Sequence, residues 1–383
     1  MDPVMIARLL FATTAGLHYL FVATTLGLGP IIAIWSTRNA LRPSTTGDAV
    51  LRLLGRMYVT NYAVGIVTGL VMELQMAVVW SGPGALAYDP IATMLALETA
   101  VAFFLESTLL GIWLASDGVL GRRVRALVFW GVILTAYASA TYIIGANSFL
   151  HYPIALNDAV LGVVDIQALV MRPATLTVLG HVLATSLVVG GFWAAAAGAR
   201  VLRRSGDAEV AARLVRVGIV VVAWAAPLSV ASGVIQFAAV RPTTTAAGAF
   251  GVALALMMLV GVLVTVITWF VLLPLALSGA LTRQPFWRPL LANGVAIPLV
   301  TTFLGWLYRE ESRQPWFLFG RVTVAEALAP VPPGQLLAMA VAFVGFGLTA
   351  AVLGWRLMAR AARTDEPDAP GSNAAGHFTL ESS

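Results

Sequence analysis

Residues 91–116 read IATMLALETAVAFFLESTLLGIWLAS, and the fold turns on this stretch. It exceeds the roughly 20 apolar residues that cross a bilayer as a helix, yet it carries two carboxylates, Glu98 and Glu106. An ionisable group at mid-membrane is unfavourable by roughly 3 kcal/mol, so such a group marks a proton path, an ion path or a cofactor. On a regular α-helix Glu106 lies about 12 Å along from Glu98 and about 80° round it. Both then face one bundle interior.

Composition sets the class. The chain has 383 residues, 59% hydrophobic and 11% charged, with a mean hydropathy of +0.88, which excludes a soluble globular domain. The absence of cysteine excludes disulfides, a thiolate nucleophile and an iron–sulfur cluster, so redox work would need haem, flavin or quinone. The net charge of +5 comes from arginines at the edges of apolar runs. That pattern encodes membrane topology and not a nucleic-acid-binding patch.

Apolar stretches fall at about 9–35, 55–80, 91–116, 125–148, 174–200, 214–240, 246–279, 290–308 and 335–356. They predict an all-α, polytopic integral membrane protein with nine transmembrane helices. The first stretch is too long, and what precedes it too weakly basic, for a cleaved signal peptide, so it reads as a retained anchor. Alternate links carry arginine: Arg38, Arg42 and Arg52; Arg122, Arg123 and Arg125; Arg203, Arg204 and Arg213; Arg283 and Arg288; then Arg356, Arg360 and Arg363. The positive-inside rule puts these in the cytoplasm, with the N-terminus outside and the C-terminus cytoplasmic. Residues 1–360 form one nine-helix membrane domain. Residues 361–383, polar and without periodicity, read as a disordered tail in which His377 is solvated.

Four histidines are present. His18 and His181 fall inside predicted spans beside small residues that admit bulky partners. Each is able to ligate haem iron or to hydrogen-bond across helices. His151 falls at the end of the fourth span and reads as interfacial. At the end of the eighth, Trp306, Glu310 and Arg313 share one face if the helix continues that far, whereas Glu311 reads as solvated. The alternative for that face is an interfacial Trp beside a surface ion pair. Glu73 and Gln75 interrupt the second span. Met257 and Met258 in the seventh are packing residues or, through a thioether, an axial haem ligand.

Five motifs then stand in order: RLLFATTAGLHYLFV around His18, GIVTGLVMELQ at 65–75, LALETAVAFFLEST at 95–108, His181, and GWLYREESRQPW at 305–316. Together they resemble subunit I of cytochrome bd-type quinol oxidases along nearly the whole chain. The resemblance implies three haems: a low-spin haem b, a high-spin haem b, and a haem d or third haem b. His18 matches the axial ligand of one high-spin haem, and Glu310 the carboxylate ligand of the other. His181 matches the low-spin ligand, with Met257 as sixth ligand because Gly261 keeps the register; Met258 is the fallback. Glu98, Glu106, Ser107 and Ser139 match a proton path from the cytoplasm. Trp306 and Arg313 bracket the haem beside Glu310, and Arg8 and Asn147 match further polar positions. The family implies a subunit II partner, quinol and O2 as substrates, membrane lipid around the chain, no nucleic acid, and a bacterial or archaeal cell membrane.

The departures cluster at electron entry. Where the family carries a long loop with quinol-binding Lys and Glu, this chain reads VRPTTTAAGAFG, with Thr244 at the Lys position and Ala249 near that of the Glu. Ala255 replaces an Arg two residues before Met257, and a usually polar run after the fourth helix reads SFLHYP. Quinol is the expected donor. The alternatives are a haem reductase with another donor, such as a periplasmic cytochrome c, or another small oxidant, and a non-haem proton-coupled transporter whose path is lined by Glu73, Glu98 and Glu106.

Overall fold

A computed structural model describes residues 2–82, 89–153, 166–204, 207–239 and 249–361. Among these are nine helices long and apolar enough to cross a membrane: α1 (Pro3–Leu41), α2 (Thr45–Val79), α3 (Met94–Ala115), α4 (Arg122–His151), α5 (Pro173–Arg203), α6 (Ala208–Phe237), α7 (Gly251–Leu277), α8 (Trp287–Glu311) and α9 (Pro333–Ala361). They match the nine expected spans, several of them a few residues longer at the ends. The tail from 362 onward and the links holding SGPGALAYDP and VRPTTTAAG lie wholly or largely outside the described residues.

Local chemistry starts the helices. The Asp2 side chain accepts from the Val4 N–H at 3.1 Å, with Pro3 opening α1, and Ser44 Oγ accepts from the Gly47 N–H at 3.0 Å at the head of α2. Burial then sorts the helices by depth. The most apolar windows of α1 and α5 are 67% and 78% buried, against 6% for α7, so α1 and α5 form the axis and α7 lies at the periphery. Their backbones touch where small residues meet: a Cβ on Gly190 would lie 2.2 Å from the Gly27 carbonyl carbon, and one on Gly27 would lie 1.8 Å from the Ser186 carbonyl oxygen. In hydrocarbon, helices associate through this kind of close packing and through interhelical hydrogen bonds. Asn61 supplies the latter, donating to Phe21 O at 2.9 Å and Thr25 Oγ1 at 2.8 Å.

The basic links gather at one end. Arg122, heading α4, pairs with Asp48 on α2 at 2.9 Å, and Thr46 hydrogen-bonds Glu209 at the start of α6. At the opposite end, the segment after α8 folds back over the bundle. Its hairpin of β1 (Trp316–Leu318) and β2 (Val322–Thr323) is a small addition to the expected all-helical chain. The short helix Val324–Ala327 follows, headed by a capping box in which the Thr323 N–H and hydroxyl hold Glu326 below the usual carboxylate range. Backbone bonds from Phe319 to Leu150, Ala329 to Val79 and Gly82 to Ala327, each 3.0 Å, pin this cap to α4 and α2. Phe317 and Leu318 pack there with Ile6, Leu10, Trp80 and Phe149.

Two helices depart from regular α geometry. Residues Ala100–Glu106 of α3 and Thr268–Leu272 of α7 are π-helical. A π turn holds more residues than an α turn, so Glu106 does not keep the angular offset from Glu98 that a regular helix gives.

Candidate functional site

A cavity of about 490 Å³ opens inside the bundle, with walls that are mainly apolar. It brings together His18 from α1, Glu73 from α2, Glu98 and Glu106 from α3, Ser139 from α4, His181 from α5, Met257 from α7 and Trp306 from α8. Residues far apart in sequence thus share one wall-lined space.

Hydrogen bonding orients His18 and His181. His181 Nδ1 lies 3.0 Å from the Ser229 carbonyl oxygen, which only accepts, so Nδ1 carries the hydrogen and Nε2 keeps its lone pair. His18 Nδ1 lies 3.2 Å from Thr68 Oγ1. The Thr68 hydroxyl already donates within α2, to Val64 O and Gly65 O at 3.0 Å each. Toward His18 it therefore accepts, and Nε2 of His18 is likewise the bare nitrogen. This is the arrangement of a metal-ligating histidine, whose other ring nitrogen donates to a fixed acceptor. Each ring also rests on a glycine: a Cβ would lie 3.1 Å from His18 Cε1 on Gly69, and 3.2 Å from His181 Cε1 on Gly233. The donor set and its cradle fit haem.

Met257 and Met258 both reach the cavity, but Met258 is 48% exposed on the outer face of α7, whereas Met257 is half-buried with its sulfur against Gly305 of α8. A Cβ on Gly305 would lie 2.7 Å from that sulfur.

On α2 and α3 the carboxylates each meet a hydroxyl. Glu106, 3% exposed, lies 3.4 Å from Tyr58 OH; Glu98 accepts from Ser139 at 3.0 Å; Glu73 accepts from Thr99 at 2.7 Å. Ser107 is outside the cavity lining but contacts Tyr62 OH at 3.0 Å, and Tyr62 lines it. Thus Tyr58, Tyr62 and Thr99 join the line of polar groups. Hydroxyls on apolar helices carry little signal of their own in sequence.

The end of α8 departs from the expected shared face. Trp306 turns to the cavity and donates to Ala12 O at 3.0 Å. The helix ends at Glu311, so Arg313 lies in the turn beyond it. There it donates to Glu310 and to the carbonyls of Trp316 and Phe317, and neither Glu310 nor Arg313 lines the cavity. Glu310 is nonetheless 3% exposed, and its Oε2 is buried without a hydrogen-bond partner. Buried carboxylate oxygens are ordinarily paired, so this atom is free to serve as a ligand. Glu311, expected in solvent, instead pairs with Arg8, its side chain only 8% exposed. The folded-back cap covers this end and removes the water that the sequence reading assumed.

His151 is corrected for the same reason. It is 2% exposed, with Nδ1 2.9 Å from Asn147 O and Nε2 3.1 Å from Arg309 O. Each ring nitrogen faces a carbonyl oxygen, of which a neutral ring donates to one, so neither nitrogen turns a lone pair toward open space, and His151 falls out of the candidate ligands. Arg309 was not singled out in sequence. It lines the cavity and donates from Nε to Asn147 Oδ1 at 2.6 Å.

Comparison with known proteins follows the same outline. The solved structure of bd oxidase from Geobacillus thermodenitrificans superposes with a TM-score of 0.84 over 94% of this chain and 98% of that one, at 21% identity, which is a likeness of fold. Cytochrome bd ubiquinol oxidase subunit 1 of Bacillus subtilis (strain 168) is 30% identical over 197 residues, 51% of this chain and 42% of the relative. Cytochrome bd-II ubiquinol oxidase subunit 1 of Escherichia coli (strain K12) is 31% identical over 223 residues, 57% and 43% respectively. The chain thus spans less than half the length of these curated relatives. The family model of cytochrome bd terminal oxidase subunit I matches residues 6–248 and 236–366. Those matches take in all of the transmembrane helices but the first residues of α1, and the chain belongs to the cytochrome bd terminal oxidase subunit I family.

Proposed function

We propose that this chain is the haem-bearing subunit of a terminal oxidase that passes electrons from quinol to O2, forming water. One observation carries the reading: a single cavity holds two imidazoles with bare Nε2 atoms, a thioether, and a line of carboxylates entering from α3. Bound haem would supply electron transfer at one site and oxygen binding at another. His181 and Met257 would hold a low-spin haem b. His18 and Glu310 would hold the high-spin pair, a haem b with a haem d or a third haem b. Trp306 and Arg313 would bracket the haem beside Glu310, with Arg8 and Asn147 near the same end.

The chain's own part in the reaction is to hold these groups and to carry protons. Thr68 and the Ser229 carbonyl keep the two imidazoles in the tautomer a metal needs. Glu106 and Glu98 pass protons toward the cavity, with Ser107, Ser139, Tyr58 and Tyr62 as hydroxyl partners along the way. The apolar walls keep bulk water from the reacting region. With the arginine-rich end in the cytoplasm and the N-terminus outside, proton uptake draws from the cytoplasm and donor oxidation releases protons outside. Charge then separates without a pump. The complex includes a subunit II and sits in a bacterial or archaeal cell membrane.

A second donor has its own observation. Thr244 and Ala249 stand where the family's loop carries Lys and Glu, which favours a donor such as a periplasmic cytochrome c. The test is a reduced-minus-oxidised spectrum with pyridine haemochrome quantitation on the detergent-purified complex, followed by turnover with quinol and with reduced cytochrome c. Haem b bands, a chlorin band shifted by carbon monoxide, and inhibitor-sensitive quinol oxidation are expected. Protein without haem overturns the reading, and turnover with cytochrome c alone replaces the donor.

A further inference from the structure

Arg309 sits in the last turn of α8 and lines the cavity, yet among the described residues no carboxylate pairs with it. The two acids that follow it in the chain are already taken, Glu310 by Arg313 and Glu311 by Arg8. Asn147 holds its Nε at 2.6 Å, which aims the fork, while Nη2 is buried without a partner. Its backbone carbonyl is engaged by His151 Nε2 at 3.1 Å, so the residue is fixed at both main chain and side chain. A half-buried, positioned guanidinium whose Nη2 is buried without a partner is costly unless an anion completes it, and the planar fork matches a carboxylate bidentately.

A haem bears two propionate carboxylates on one edge. We propose that Arg309 binds a propionate of a haem in this cavity, with Asn147 as the positioning residue that orients the guanidinium. The proposal rests on the haem reading above and adds a specific anchor to it. It also accounts for why a cation is tolerated in a mainly apolar cavity: the cofactor brings the countercharge.

The test uses the purified complex from cells unable to make δ-aminolaevulinate and fed that precursor labelled at its carboxyl carbon, which becomes the propionate carboxyl. Redox-difference infrared spectra then identify propionate bands by their isotope shift. In Arg309→Gln one labelled band is expected to move or split while the low-spin haem spectrum persists, and Arg309→Lys, which keeps the charge but not the planar fork, is expected to shift that band less than the Gln variant does. Loss of one haem from the Gln variant with retention in the Lys variant supports the anchor equally. Labelled bands unchanged in the Gln variant at full haem content overturn it, as does equal haem loss from both variants. Wild-type protein without haem overturns the functional reading instead, and is seen before any variant is made.

Discussion

Replacing Thr68 by Val tests the structural account of His18 most directly. The two side chains have nearly the same shape, so the change removes a hydroxyl and little packing. In the wild type Thr68 Oγ1 accepts from His18 Nδ1 at 3.2 Å. Without it the ring N–H keeps only the Gly65 carbonyl as an acceptor inside the bundle, a penalty of up to about 1–3 kcal/mol, or the proton moves to Nε2 and blocks the lone pair that would meet iron. Loss of such a partner typically weakens metal binding by about 10–100-fold, which corresponds to about 1.4–2.7 kcal/mol. The two estimates agree in size. The assay is haem retention by the purified complex challenged with excess apomyoglobin, followed in reduced-minus-oxidised and carbon-monoxide difference spectra. Thr68→Val should release the carbon-monoxide-binding haem about 10–100-fold more readily while the low-spin bands hold, and Thr68→Ser should behave as wild type. Equal retention in the Val variant would refute the tautomer argument for His18.

Three further outcomes are expected. His18→Ala should abolish carbon monoxide binding while leaving low-spin bands, and His181→Ala should do the reverse; spectra in which both variants keep every band would reject the ligand assignments. Glu106→Gln should slow turnover while leaving haem content intact, and an oxidase rate equal to wild type across the pH range would remove Glu106 from the proton path. Gly190→Ala should lower stability by about 1–3 kcal/mol, because its methyl would lie 2.2 Å from the Gly27 backbone and must force α1 and α5 apart. Thermal melting in detergent measures that loss, and an unchanged melting temperature would show that the crossing is looser than described.

Much of the site was legible because ionisable residues inside apolar runs are conspicuous. His18, Glu98, Glu106 and His181 each break a hydrophobic stretch, and all four line the cavity. At the ends of helices that contrast disappears. Glu311 and His151 look like boundary residues in sequence, yet the segment after α8 folds back and buries both. Arg309 was missed for the same reason. Its partner Asn147 is 162 residues away, and an arginine at a helix end ordinarily reads as topology. The hydroxyls of Thr68, Tyr58 and Tyr62 matter only through the groups that they face.

By itself the sequence determined the membrane class, the nine spans and the candidate ligands, because hydropathy and span length are properties of consecutive residues. Tertiary structure alone decided which ring nitrogens are bare, how the π-helical turn re-aims Glu106, and which charges at the capped end are paired or left open. Those outcomes depend on contacts between residues remote in the chain, and a local pattern does not encode the distance at which two helices meet.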